Sequence, residues 1–426
     1  MNLERSYAPF YLEQMNIPVL MYHGLSDDVF KVPYGFLLQA VDQFEACMRY
    51  LVRNGFTTIT LQELYDHLKS NASLPKNPIV LTFDDGYLDN WVYVYPILKK
   101  YRLKGTIFVV PEFVDPTKNC RPNLDDAAAE KTSPDNLKWW GYLSWAEMRK
   151  MEADGTIDIQ SHTMSHTWYF KSDKLIDFHH PNDSYAWLAW NEFPERKHKW
   201  CDEAQEEFVG YGAPIYEYGR SLGIKRYFDD AGLKNHLVDF VRSKGGKKFF
   251  TDGRWREILR AKLADYTKTA PQSGRYETEE EYTRRLQSEI VESKAILERN
   301  LQKQIRFLCW PGGAHTIEAH TLAMNSGFLA TTKGDKENTF GNDPARLHRT
   351  AAYLDSHKYN RAFLKMVSLP LFALEVQSYR GSPIATWVMR SAAKAVRTSR
   401  AMINLSKRNQ RSARNANLAA TNHQTT

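Results

Sequence analysis

Residues 80–90 read VLTFDDGYLDN, an apolar run from Val80 to Phe83 that ends in Asp84-Asp85-Gly86. Adjacent carboxylates at the end of an apolar segment repel one another and resist burial, so a chain keeps them together where something offsets that cost. A metal ion is one such thing. A helix N-cap followed by an acid favoured by the helix dipole is another, and it leaves one of the two carboxylates without a role.

Upstream, Ile17 to Tyr22 (IPVLMY) is a similar run ending in His23-Gly24. Both runs have the length and character of buried strands that hand over to polar loops. Between them, residues 42–54 carry apolar side chains at 44, 47, 48, 51 and 52, a helical spacing, and a second helix starts at Leu61. The alternation continues with a helix near 89–101, a strand over 105–110, a helix over 144–153 and a strand over 157–160. Further on come a helix over 279–301, a strand over 305–310, a helix over 316–326 and a strand over 328–332. Strands alternating with helices predict an α/β fold with a parallel sheet or barrel, whose chemistry gathers at the C-terminal strand ends. Residues 171–278 break the pattern and predict an inserted subdomain or lid, because so long an unstructured loop is unusual. A smaller insertion is expected near 115–138.

The chain has 426 residues, 42% of them hydrophobic, enough for a substantial core and unlike a disordered chain. Its formal charge of +7 is unevenly placed: nine Lys or Arg and no Asp or Glu follow residue 379, leaving the first 379 residues at about minus two. A basic tail without a reader motif argues against a specific nucleic-acid partner. The four cysteines, Cys47, Cys120, Cys201 and Cys309, lack zinc-site spacing and read as free thiols. Met1-Asn-Leu-Glu-Arg opens without signal-peptide character, so a cytoplasmic location is the expectation.

The SHTMSH segment, Ser161 to His166, sets two histidines four residues apart. In a helix or tight turn both imidazoles can face one cation. With 13 histidines, roughly 0.4 such pairs arise by chance, so the pair alone could equally be two polar turn residues. With one aspartate of the Asp84-Asp85 pair it becomes a set of two imidazoles and a carboxylate, which leaves positions open for water and substrate. The other aspartate is then free to act as a base.

TFDDG, followed about 75 residues later by SHTMSH and then by Trp310-Pro311-Gly312-Gly313, resembles the polysaccharide deacetylase family, also called NodB homology or carbohydrate esterase family 4. The resemblance covers roughly residues 15–170 and 280–350. It implies a distorted (β/α)7-type barrel, with Asp85, His162 and His166 as ligands of a divalent metal and Asp84 as catalytic base. Zinc is the expected metal, with Co2+, Ni2+, Mn2+ or Fe2+ as alternatives. Pro18 to Gly24, PVLMYHG, is similar to the start of the circularly permuted members that deacetylate poly-N-acetylglucosamine, which makes His23 the expected general acid. His348 would compete only in an unpermuted chain. The family's aromatic-Pro-aromatic-Gly segment reads WPGG here, so the Gly312 N–H is the expected oxyanion donor and Trp310 a substrate-side residue. The arginine that orients the base in the family could be Arg306 or Arg349. The implied reaction is hydrolysis of the N-acetyl group of an amino sugar in a glycan or glycan precursor. A hydrolase of small cyclic amides or ureides, or an inactive glycan-binding relative, would share the fold.

The expected organisation is a barrel over 1–350 with a large, mainly helical insertion at 171–278, an apolar helical extension over 351–379 and a basic tail over 380–426. Trp187, Trp190 and Trp200 of the insertion are candidate sugar-stacking platforms. Met366 to Val376 and the face from Trp387 through Ile403, flanked by Arg390, Lys394 and Arg397, fit either an anionic membrane surface or ordinary docking. Ser382-Pro383 would begin that tail helix.

Overall fold

The structure is a computed structural model that describes residues 16–351 and 358–391, apart from 33, 204–205, 271–272, 335–336 and 390. Its centre is a sheet in which eight strands follow one path, all neighbours parallel. The order runs Arg346–Leu347, Ala330–Thr332, Phe307–Leu308, Ile157–Ser161, Gly105–Val109, Pro78–Phe83, Val19–Tyr22 and Thr350–Ala351. A ninth strand, Thr57–Thr58, pairs with Pro78–Phe83.

The two ends of that path, Arg346–Leu347 and Thr350–Ala351, are separated in the chain by only His348 and Arg349. Laid flat, eight strands would put the edges ~34 Å apart at ~4.8 Å per neighbour. Three Cα steps reach at most ~11 Å. The sheet therefore has to curl round on itself, and Arg349 sits at the seam.

The central strands are buried on both faces, as in the fully buried Pro78–Phe83, which explains why they read as continuous apolar runs. The helices that cover them show one apolar face. Val41–Arg53 buries Phe44, Cys47, Met48 and Leu51, and Leu61–Ser70 opens on a reciprocal Thr60–Glu63 capping box. The expected helix over 89–101 is a π-helical turn, Asn90–Val94, followed by Tyr95–Lys100. That over 279–301 is likewise broken by a π-helical stretch, Gln287–Glu292. The expected strand over 305–310 is reduced to Phe307–Leu308 because the chain turns early into Pro311–Gly313.

The insertion carries helices Trp187–Glu192, Ala231–Ser243 and Trp255–Thr269 around a core of its own that includes Phe178, Leu233, Leu237 and Leu259. It also carries an antiparallel ribbon absent from the sequence reading, Trp168–Phe178 against Pro214–Arg220. Helix Arg361–Tyr379 buries Leu364, Ser368, Phe372 and Val376, a stripe at four-residue steps, and packs Phe372 edge-on against Tyr50 of Val41–Arg53. The segment Met366 to Val376 thus docks on the barrel through that stripe. No described helix is long and apolar enough to cross a membrane. Helical structure continues over 383–389, where Ser382 Oγ accepts from the Ala385 N–H. Of the expected tail face, Arg390 and everything from Ala392 to Ile403, including Lys394 and Arg397, lies outside the described residues.

Candidate active site

Three strands of the sheet deliver the polar residues from their C-terminal ends: Val19–Tyr22 presents His23, its neighbour Pro78–Phe83 presents Asp84 and Asp85, and Ile157–Ser161, one strand further on beyond Gly105–Val109, presents His162 through His166. Backbone bonds tie adjacent exits together, Asp84 N to Tyr22 O at 2.9 Å and His162 N to Val109 O of the intervening strand at 2.9 Å. Asp85, Thr163 and His166 all have left-handed backbone, with φ of 74°, 64° and 46°. Non-glycine residues adopt that region at a cost, and three of them in two short loops mark a geometry imposed by what the loops must present. At Gly86, with φ of 72°, an added Cβ would also press on Val109 at 3.2 Å.

Asp85 Oδ1 lies 3.2 Å from His162 Nε2 and 3.2 Å from His166 Nε2. All three residues are buried or nearly so, and their ligand atoms lie within 4.8 Å of one another. Ligands held at 2.0–2.1 Å around a tetrahedral centre stand about 3.3 Å apart, so the two edges that meet at Asp85 match those of such a site. Asp85 Oδ1 is shielded from solvent and aligned with no hydrogen-bond donor among the described residues, which is what a carboxylate oxygen reserved for a cation would show. His162 Nδ1 lies 2.9 Å from the Cys309 carbonyl; as its donor it would leave Nε2 to face the triangle. Burial pushes the His166 pKa down to about 3 despite the neighbouring Asp85, keeping that imidazole neutral. Burial also opposes the charge on Asp85, but His166 and His162 outweigh it and hold the carboxyl far below its usual range. The donor set fits a divalent metal of the zinc type.

Asp84 is 4% exposed and answers to a different partner. Arg349 grips it in a fork, Nη1 to Oδ1 at 2.6 Å and Nη2 to Oδ2 at 2.9 Å, and also donates to Thr82 Oγ1. Burial disfavours the Asp84 carboxylate, but Arg349 above all, with His162 and His23, keeps its pKa lowered. A second grouping, Asp84, His162 and Cys309, also brings ligand atoms together. There, however, Arg349 Nη2 already donates to Cys309 Sγ at 2.8 Å and to Asp84, so a cation fills it. One aspartate is thus free for metal while the other is ionised and engaged with a guanidinium. His23 is half-buried beside them, and its charge acts on both aspartates.

Of the two candidate arginines, Arg349 is the one at the base, while Arg306 is exposed at the opposite end of its strand, bonded to Gln304 and Gln62. His348 lies against Gly334 and Asn338, with Nδ1 3.0 Å from the Gly334 carbonyl and its N–H donating to Asn338 Oδ1. Gly312 is exposed in a left-handed turn with φ of 56°. Trp310 does not reach a substrate-side surface: it is 1% exposed and stacked on His315, because the early turn at Pro311 folds its ring into the core. Trp187 and Trp190 are similarly buried, at 5% and 7%, in an aromatic cluster with Phe113, Phe170 and Tyr218, and are not exposed sugar platforms. Trp200, half-buried, packs on Tyr34 and Trp190.

Sequence reasoning passed over the residues that hold the histidine loop. Glu289, on the π-helical stretch, accepts from the N–H groups of Met164 and Ser165 at 3.2 and 3.1 Å and from Ser165 Oγ. From the other side Lys197 of the insertion, 1% exposed, donates to the Ser165 carbonyl at 3.0 Å and pairs with Glu112. Trp168 stands edge-on to His166 at 5.8 Å. None of these has a local signal; a lysine 31 residues beyond a histidine is invisible as its support until the chain is folded.

Residues 71–208 match the family model described as polysaccharide deacetylase. The chain is 31% identical over 151 residues to the putative polysaccharide deacetylase YxkH of Bacillus subtilis (strain 168), covering 35% of this chain and 43% of that protein. It is 23% identical over 114 residues to poly-beta-1,6-N-acetyl-D-glucosamine N-deacetylase of Escherichia coli (strain K12), covering 27% of this chain and 16% of that one. The chain thus spans less than half the length of these curated relatives. Among solved structures, a de-N-acetylase from Aggregatibacter actinomycetemcomitans aligns with a TM-score of 0.46 and 19% identity, over 82% of this chain and 99% of that one. The matched segment contains Asp84, Asp85, His162 and His166, and over it the chain resembles polysaccharide deacetylases of NodB homology.

Proposed function

We propose that this chain is a metal-dependent carbohydrate N-deacetylase that hydrolyses the N-acetyl group of amino sugars in a glycan and releases acetate. The observation that carries the reading is the division of labour between neighbouring carboxylates: Asp85 is turned to two imidazoles at 3.2 Å, and Asp84 is held ionised by Arg349. The match to polysaccharide deacetylases over 71–208, and to proteins named for removing acetyl groups from poly-N-acetylglucosamine, supports the substrate class.

Asp85, His162 and His166 would hold the cation; zinc is our proposal, from two imidazoles and one carboxylate. Such an ion supplies Lewis acidity toward the acyl oxygen and lowers the pKa of water. Asp84 accepts the proton of the attacking water as its oxygen bonds to the acyl carbon. Arg349 keeps that carboxylate in place and, by its charge, keeps it ionised beforehand. His23, as imidazolium, delivers a proton to the amide nitrogen as the C–N bond breaks, since an amine leaves poorly without one. The Gly312 N–H would donate to the acyl oxygen as it gathers charge. Acetate and a free amino sugar are the products.

Metal-loaded protein incubated with short β-linked N-acetylglucosamine oligomers should release acetate. Asp84→Asn should abolish turnover and keep the metal, whereas Asp85→Asn and His166→Ala should lose metal as well. No acetate from any N-acetylated oligomer at full metal occupancy would overturn the reading, and release from a cyclic amide or ureide instead would move it to the small-molecule class. Metal loss in Asp84→Asn with retention in Asp85→Asn would exchange the two roles.

A further inference from the structure

Arg220 is the last residue of the ribbon strand Pro214–Arg220, so it belongs to the insertion and not to the barrel. Its cross-strand partner is Trp168, two residues beyond His166, and the register of the ribbon therefore ties Arg220 to the histidine loop. The guanidinium carbon lies 3.7 Å from the centre of the Trp168 ring, which itself stands edge-on to His166. On the other side the group lies against the Gly312 backbone: a Cβ added at Gly312 would stand 2.8 Å from Arg220 Nε and 3.1 Å from Nη2. Only a glycine admits an arginine that close, which gives the first glycine of the WPGG turn a reason of its own.

The charge is thus fixed between an aromatic face and a turn, with its plane set by stacking. It interacts with two of the three metal-ligand candidates: Arg220 acts on His166 and Asp85 acts on Arg220. Burial lowers its pKa to about 10, which still leaves it cationic at neutral pH. Yet Nη1 is shielded from solvent and reaches no acceptor among the described residues. A guanidinium N–H withdrawn from water with nothing to bond is costly, and such groups in a preformed site point to an acceptor brought by the ligand.

We propose that Arg220 is a catalytic residue, whose Nη1 donates a hydrogen bond to the acyl oxygen of the bound amide as negative charge gathers on that atom. This rests on the deacetylase reading. The scissile amide is the part of an N-acetyl glycan that must come up against Asp85 and His166, and among its atoms the acyl oxygen is the one that accepts hydrogen bonds and becomes anionic. The methyl group offers no acceptor, and the nitrogen is protonated from the His23 side. The hydrogen bond is made and released without proton transfer, so the atoms and charges of the hydrolysis are unchanged. A donor fixed in advance costs no reorganisation when the charge appears. The insertion then does more than frame a sugar: it completes the acyl pocket.

The test compares full-length, zinc-loaded wild type, Arg220→Gln and Arg220→Lys by acetate release from N-acetylglucosamine oligomers, by zinc content and by calorimetric acetate binding. Arg220→Gln should lower kcat about 10²-fold with KM changed less than about threefold, as expected for a donor engaged mainly in the transition state. Acetate affinity should fall about tenfold while zinc content stays at the wild-type level. Arg220→Lys, which keeps the charge but not the fork, should fall between the two. Wild-type kcat and acetate affinity in Arg220→Gln would overturn the proposal, as would a loss confined to KM, which would mark a contact to the sugar. Loss of zinc in both variants would make Arg220 part of the scaffold and overturn it too. If wild type releases no acetate, the deacetylase reading fails on its own, and equal acetate binding in wild type and Arg220→Gln would then remove Arg220 separately.

Discussion

Arg349 shows how much one side chain can decide. It forks onto Asp84, donates to Cys309 Sγ and Thr82 Oγ1, and is itself buried. Burial disfavours its charge, but Asp84 beside it holds its pKa above the usual value. Removing one member of such a pair leaves the other charge buried and alone, which typically costs about 3–5 kcal/mol. We therefore expect Arg349→Gln to lose that order of stability in urea unfolding and to lower acetate release at least ~10²-fold while keeping its metal, because Asp84 loses its positioning and not the triangle around Asp85. Arg349→Lys should rescue part of the stability and little of the rate, since an ammonium cannot reproduce the two parallel bonds. Full activity in Arg349→Gln would show that Asp84 is placed by something else. From sequence, Arg349 and Arg306 were equal candidates. What separates them is the seam of the barrel: strand Arg346–Leu347 ends one edge and Thr350–Ala351 the other, so the residue between is turned into the site, whereas Arg306 precedes its strand at the far end.

At the scale of elements, the histidine loop 162–166 is a span of irregular backbone with two left-handed residues, and it keeps that shape because two elements distant in sequence clasp it. Glu289 takes its N–H groups on one side, and Lys197 takes the Ser165 carbonyl on the other. Supports of this kind orient ligands, and their loss commonly weakens metal binding 10–100-fold. Lys197→Met should accordingly raise the zinc dissociation constant about tenfold or more, read by competition with a chelator, with helix content unchanged by circular dichroism. Glu112, whose pKa is raised by burial against the pull of Lys197, loses that cation in the variant. Unchanged zinc affinity would reduce Lys197 to a packing residue of the insertion. The ligands were legible because Asp84-Asp85-Gly86 and SHTMSH each keep their donors within one turn of chain. The clasp was not, since Lys197, Glu289 and Arg220 are charged residues in helix-like or strand-like surroundings whose burial arises only from tertiary packing. For the same reason the tryptophans of the insertion looked like exposed platforms and are instead the cluster that joins the insertion to Phe113 and Tyr142 of the barrel.

The alternation of strands and helices in the whole molecule was readable because strands such as Pro78–Phe83 are buried on both faces and helices such as Val41–Arg53 are apolar on one. Its closure was expected only through the family resemblance, for no residue pattern says that eight strands curl round to meet at two residues. Nor could the apolar segment after residue 360 be assigned a side, since a stripe that docks and a stripe that seeks lipid have the same spacing. The structure gives that helix a barrel-facing stripe, Leu364, Ser368, Phe372 and Val376, and with it a charge in an awkward place: Glu375, partly buried beside that stripe, whose pKa burial raises to about 7. Its charge is felt by Tyr22 on the first barrel strand and by Tyr379 at the end of its own helix. The folded state therefore holds the neutral acid more firmly than the unfolded state, whose glutamates titrate near ~4.3. Between about 4.3 and 7 the folded chain binds more protons than the unfolded one, so Glu375 makes stability fall as pH rises through that window. Glu375→Gln, which keeps the shape and removes the titration, should raise Tm relative to wild type at pH 8 and leave the difference small at pH 4. Phe372→Ala, at a position 3% exposed, should instead cost about 3–5 kcal/mol at both pH values. Thermal unfolding of the three proteins at the two pH values separates a titrating docking helix from a merely apolar one: a Glu375→Gln gain that is equal at both, or absent at pH 8, would mean that the carboxyl finds water and that helix Arg361–Tyr379 holds to the barrel without regard to its charge.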